Sequence, residues 1–134
     1  MKQILSNDII NQYMPTLVKC PLFNTLGEPE LRGYLNNAKV IIHSYKKNDF
    51  IALAGDPMEG IGVILEGSAL LTRENVMGQR VIMANLEQSD IFGEALLFSK
   101  QPLWPATIKA TKATKIMFIP LETFIKTLPD CHQC

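Results

Sequence analysis

From Ala38 onward the chain is a procession of short apolar, β-branched segments broken by turn signals. The segments are VIIHSY, DFIALA, GIGVILEG, SALLTREN, RVIMANLE, IFGEALLF, ATIKAT and TKIMFIP. Between them stand Lys47-Asn48-Asp49, Gly55-Asp56-Pro57, Glu66-Gly67-Ser68, Asn75 to Gly78 and Gln88-Ser89-Asp90. A turn roughly every ten residues is the mark of an antiparallel barrel or sandwich. Parallel strands need long crossovers, and no helical pattern between these segments is long enough.

The two ends read differently. Ile4, Leu5, Ile9, Ile10 and Tyr13 recur near the helical period, with Ser6 or Asn7 as N-cap. Pro15 and Pro21 are expected to break this stretch into short pieces. A second helix is expected from about Pro29 to Asn37, with Leu31, Tyr34 and Leu35 inward. Pro120 to Leu128 reads as a closing helix carrying Leu121, Phe124, Ile125 and Leu128 on one face and stopped by Pro129. The expectation is therefore a mainly β, antiparallel β-roll of jelly-roll type (a double-stranded β-helix) with short flanking helices at both ends. One domain of 134 residues divides into a helical flank 1–37, a roll 38–119 and the start of a helical region 120–134.

Charge and cysteine content narrow the function classes. Thirteen basic residues balance thirteen acidic ones. Phosphate contacts dominate nucleic-acid affinity, so a chain with no basic excess is not expected to bind DNA or RNA alone. Cys20, Cys131 and Cys134 are odd in number, which argues against a disulfide framework and for a reducing, cytoplasmic setting. The polar N-terminus is no signal peptide, and no apolar run is long enough to span a membrane.

Catalytic and metal motifs are sparse. The only histidines are His43 and His132. His43 is read as a solvated strand residue. No H-x-x-x-H, G-x-S-x-G or phosphate-loop pattern occurs, so no cofactor and no catalytic residue is expected. Cys131-His132-Gln133-Cys134 has the spacing of half a zinc site or of a redox pair, or is simply two cysteines opening a further helix.

The turn framework carries more information. Pro21-Leu22-Phe23, Ala54-Gly55-Asp56-Pro57, Val63-Ile64-Leu65-Glu66-Gly67, Gly93-Glu94 and Ile116 to Pro120 occur in this order. Together they resemble the cyclic-nucleotide-binding-type sensory domain of Crp/Fnr-type transcription regulators, over about Leu17 to Leu128. The resemblance implies that Gly93 to Ala106 form the phosphate-binding cassette, a strand end, one helical turn and a return strand. Its backbone amides would receive a cyclic phosphate and Glu94 a ribose hydroxyl. Gly93, Glu94, Ala95, Leu96, Trp104, Pro105 and Ala106 are thus the candidate effector-binding residues.

The chain departs from that pattern at two positions. The family places an arginine ten residues after the glutamate, followed by Ser or Thr. Here these are Trp104 and Pro105. Desolvating an ion without its partner costs several kcal/mol, and tryptophan cannot supply the bidentate pair of arginine. Proline brings neither hydroxyl nor backbone donor. Poor cAMP and cGMP binding is therefore expected, with Lys100, Lys109 or Arg80 as substitute cations. Three cysteines are too few for an iron–sulfur cluster, and His43 is a weak haem ligand. An apolar or aromatic acid fits best, with Trp104 as a stacking wall and Glu94 or a backbone amide as polar contact. The plainer alternatives are that Trp104 is a partly exposed loop aromatic and Glu94 a turn carboxylate.

In such regulators a long dimerisation helix and a DNA-binding helix-turn-helix follow, and this chain contains neither. The resemblance implies an unidentified small-molecule effector, DNA contact only through a domain absent from this chain, and a homodimer in the full-length protein. A cyclic-nucleotide module of another signalling protein and a cupin-like metal enzyme are the alternatives.

Overall fold

The structure, a computed structural model, describes residues 2–4, 7–21, 23, 27–37, 39–58, 60–94 and 103–120. The chain runs β1 (Lys2–Ile4), α1 (Asn7–Leu17), α2 (Glu28–Asn37), β2 (Ile41–Tyr45), β3 (Phe50–Ala52), β4 (Gly60–Glu66), β5 (Ala69–Glu74), β6 (Arg80–Leu86), β7 (Ile91–Phe92), β8 (Thr107–Ala110) and β9 (Thr114–Pro120). All pairings between these strands are antiparallel. One sheet has the order β1-β2-β9-β4-β7 and the other β3-β8-β5-β6. This is the expected mainly β roll.

Each expected turn holds one residue in the left-handed region: Asn48, Gly55, Gly67, Gly78 and Ser89. The chain reversals are therefore written locally. The strands between them owe their place to burial. In β4, Ile61, Val63 and Leu65 face a core with α1 and α2, while Ile64 faces the second core. In β9, Met117 and Ile119 face the helices and Ile116 faces the other way. The first sheet is thus covered on both sides, which explains why GIGVILEG is apolar without alternation. The helix-side core adds Ile10, Tyr13, Met14 and Leu17 from α1, and Leu31, Tyr34 and Leu35 from α2. The inter-sheet core gathers Ala52, Ala69, Leu86, Phe92, Trp104 and Ile108. Fully burying one such large apolar side chain stabilises by about 1.5–3 kcal/mol.

Glycine matters most at Gly62. A Cβ there would enter the Phe92 ring. The missing side chain lets β7 pair with β4, Gly62 opposite Phe92, and lays the ring on the strand.

Three expectations about the ends change. Lys2–Ile4 is a strand paired with β2, Ile4 opposite Ile41, and not the start of a helix. Helix α1 runs through Pro15. The exposed proline removes one amide donor, yet Ile10, Tyr13, Met14 and Leu17 bury a face on both sides of it, and the ladder resumes with Val18 N to Met14 O at 3.0 Å. Pro120 ends β9 opposite Gly60 instead of opening a helix. The expected closing helix from Leu121 lies outside the described residues. Among the described residues, no helix is long and apolar enough to cross a membrane.

Candidate functional site

The expected cassette starts where β7 ends. Gly93 has φ +95°, and a Cβ there would stand 2.8 Å from Met58 Cε and 3.4 Å from Trp104 Cζ3. Ala95 and Leu96 lie outside the described residues, as do Lys100, Cys131, His132 and Cys134. The return is fixed by backbone. Trp104 N donates to Asp56 O at 2.9 Å, Gly55 N donates to Trp104 O at 2.8 Å, and Leu103 bridges Pro57. The Gly55-Asp56-Pro57 turn, some fifty positions earlier in the chain, is the latch for the cassette.

That latch drives the indole inward. Trp104 is 8% exposed. Its ring lies 5.7 Å from that of Phe92 and against Gly93. It is not the partly exposed loop aromatic of the plainer reading. Phe118 meets Phe92 edge-on at 6.0 Å, and His43 meets Phe118 edge-on at 5.6 Å. A run of rings therefore leads from the cassette to β2. His43 is half-buried on this run and lines a hollow, and is not a simply solvated strand residue. Parity explains it: His43 and Tyr45 share one side of β2, opposite to Ile42 of the helix-side core.

Beside Trp104 is a hollow of about 230 Å³ lined by His43, Tyr45, Ala52, Asp56, Trp104 and Phe118, among others. It is smaller than the roughly 300–1,000 Å³ of drug-sized ligand sites. Among the described residues that line it there is the Asp56 carboxylate and no lysine or arginine. Charge here works against the acid expected from sequence. The hollow was not foreseen, although the alternation of β2 and β9 puts Tyr45 and Phe118 on its side.

The remaining candidates separate. Ala106 is 2% exposed and belongs to the interior. Glu94 and Pro105 are exposed. The Pro105 carbonyl accepts a hydrogen bond from Arg73 Nε at 3.3 Å. Of the substitute cations, Lys109 sits over the Phe50 ring at 5.6 Å and Arg80 lines a different hollow. Arg73, which the sequence did not single out, touches the cassette return at the Pro105 carbonyl. Among the described residues, no group of three or more His, Cys, Asp and Glu side chains could hold a metal ion.

Residues 42–130 match the cyclic nucleotide-binding domain. The chain belongs to the cyclic nucleotide-binding domain family. The cAMP-activated global transcriptional regulator CRP of Pasteurella multocida is 31% identical over 106 residues, which are 77% of this chain and 50% of that protein. The chain spans about half the length of the curated relatives it matches. Among solved structures, the sensor domain of the transcriptional regulator DNR from Pseudomonas aeruginosa superposes with a TM-score of 0.78 at 19% identity, covering 94% of this chain and 83% of that one. The regulatory domain of Toxoplasma gondii PKA, co-crystallised with cAMP, gives 0.79 at 19% identity, covering 96% of this chain and 48% of that one. The resemblance to a Crp/Fnr-type sensory domain read from the turn framework is upheld. The relatives are regulators by name, CRP and DNR among them.

Proposed function

We propose that this cyclic nucleotide-binding domain is the effector-sensing part of a Crp/Fnr-type transcription regulator, and that its effector is neither cAMP nor cGMP. The observation that carries this is the position of Trp104. Where the family places the phosphate-pairing arginine, a buried indole lies against Gly93 and Phe92. A cyclic phosphate would have to displace that ring and lose its hydration without the arginine that the family sets there to pair with it. The loss of a core aromatic and the desolvation of an ion each cost several kcal/mol.

The effector is a small neutral or aromatic molecule held between Gly93, Glu94 and the cassette return. Ala95 and Leu96 complete the site on the family pattern. Its binding moves the cassette and so sets the DNA affinity of a helix-turn-helix outside this chain, in a full-length homodimer. Isothermal titration of the chain with cAMP and with cGMP tests the exclusion. No saturable heat at millimolar nucleotide is expected, and a micromolar dissociation constant for either would overturn the reading.

A further inference from the structure

Four of the side chains that line the hollow beside Trp104 carry aromatic rings: His43 and Tyr45 of β2, Phe118 of β9 and Trp104 itself. The strand period puts His43 and Tyr45 on one side of β2. Their rings lie 6.2 Å apart and 34° from parallel, and Phe118 meets His43 at 5.6 Å and 76°. The rings of β2 and β9 therefore meet in a corner, two along one side and a third across the end. Trp104, 8% exposed, adds the fourth ring from the cassette return.

A carboxylate stands at the same hollow. Asp56 is exposed in the turn after β3. An aspartate in a turn commonly spends its side chain on a backbone amide two residues on. Here backbone bonds close the turn instead, Asp56 N donating to Leu53 O at 3.1 Å and Gly55 N to Trp104 O at 2.8 Å. Among the described residues the Asp56 carboxylate has neither a hydrogen bond nor an ion pair. No lysine or arginine among them lines the hollow.

Aromatic faces attract cations through the ring quadrupole, and more so when the cation sheds its water. An anion would meet Asp56 with nothing to offset it. A neutral apolar molecule would leave the carboxylate unused. The volume of about 230 Å³ suits a ligand the size of a headgroup, below the drug-sized range.

We infer that this hollow binds a small organic cation of the methylated ammonium class, with Tyr45, Phe118 and Trp104 as an aromatic cage and Asp56 as the counter-charge. The inference goes beyond the effector reading and does not rest on it. Asp56 serves twice, since its carbonyl also accepts from Trp104 N at 2.9 Å. A cation drawn to its carboxylate therefore acts on the residue that latches the cassette return.

The probe is choline, compared with neohexyl alcohol, the uncharged isostere that has carbon in place of the ammonium nitrogen. Each is titrated into the chain at constant ionic strength, choline chloride replacing sodium chloride, at a mildly alkaline pH that favours neutral imidazole. Trp104, the one tryptophan of the chain, lines the hollow and reports occupancy by its emission. Saturable, millimolar binding of choline is expected, about threefold or more tighter than that of the isostere. Asp56→Asn, an isosteric change at an exposed position, should weaken choline roughly threefold, the worth of an exposed charge pair, and leave the isostere unchanged. Tyr45→Leu keeps an apolar wall without the ring and should weaken choline by a like factor. Equal affinity for the two probes in the parent chain would overturn the inference without any variant. So would the lack of a saturable response to choline, or choline binding untouched in Asp56→Asn. Nucleotide binding in the cAMP and cGMP titrations would sink the effector reading and leave this site standing.

Discussion

Trp104 and Gly93 act as a pair. The glycine holds φ +95°, and a Cβ in its place would stand 3.4 Å from the indole, so each residue is fitted to the other. Replacing Trp104 by alanine removes a buried aromatic and should cost about 3–5 kcal/mol in urea unfolding. Gly93→Ala strains the backbone and drives a methyl toward Met58; about 1–3 kcal/mol is expected. Losses below about 0.5 kcal/mol, the range of ordinary surface changes, would show that the ring is not packed as described. The two positions also mark how far sequence reaches. That Trp104 replaces an arginine was legible from a ten-residue spacing. That it is buried was not, because the latch is a pair of backbone bonds to a turn far back in the chain. Arg73 stayed hidden for the same reason: its partner is a carbonyl 32 positions away.

Between elements, the joint of α1 to the first sheet contains an ionisable cluster. Burial raises the pKa of the Tyr13 hydroxyl, and the Glu66 carboxylate adds to the rise. Tyr13, and then Glu66, also raise that of Lys115, which pairs with Glu66 at 3.5 Å. Both groups bind their protons more tightly in the folded chain. Their contribution is therefore complete below about pH 10 and is lost as pH rises through the folded values. Thermal melts of the parent should fall in midpoint above pH 10, and Tyr13→Phe should flatten that fall. Equal slopes would remove Tyr13 from the effect. Elements themselves were largely readable. Helix α2 appears within one residue of its expected start, and each turn signal became a turn. Where the reading missed, packing had overruled local chemistry. Pro15 did not stop α1 because the helix buries a face across it. The segment Lys2–Ile4 became a strand because β2 offers it an edge.

At the scale of the whole molecule, the two cores share one sheet. β4 and β9 send alternate residues into each. Neither core can dissolve without stripping a face from the same strands, so the molecule should unfold as one unit. Trp104 emission reports the inter-sheet core and far-ultraviolet dichroism the helices. Their urea transitions should coincide, and separated midpoints would reveal two independent units. This arrangement was only half visible beforehand. The apolar run of β4 was read only as one strand of the roll; that it is buried on both sides, with the helices as the second cover, comes from the packing.

The β5–β6 turn gives the experimenter a handle. Asn75 knots it, its Oδ1 accepting from Met77 N and Gln79 N, both at 2.9 Å. Val76, at the tip, is 104% exposed. Almost every position of β4 is already occupied on both sides, so a dye or surface tether placed there would wreck the roll. Fastened at Val76 instead, it would ride on a stiff arm that leads straight to Arg73, whose Nε holds the carbonyl of Pro105 in the cassette return.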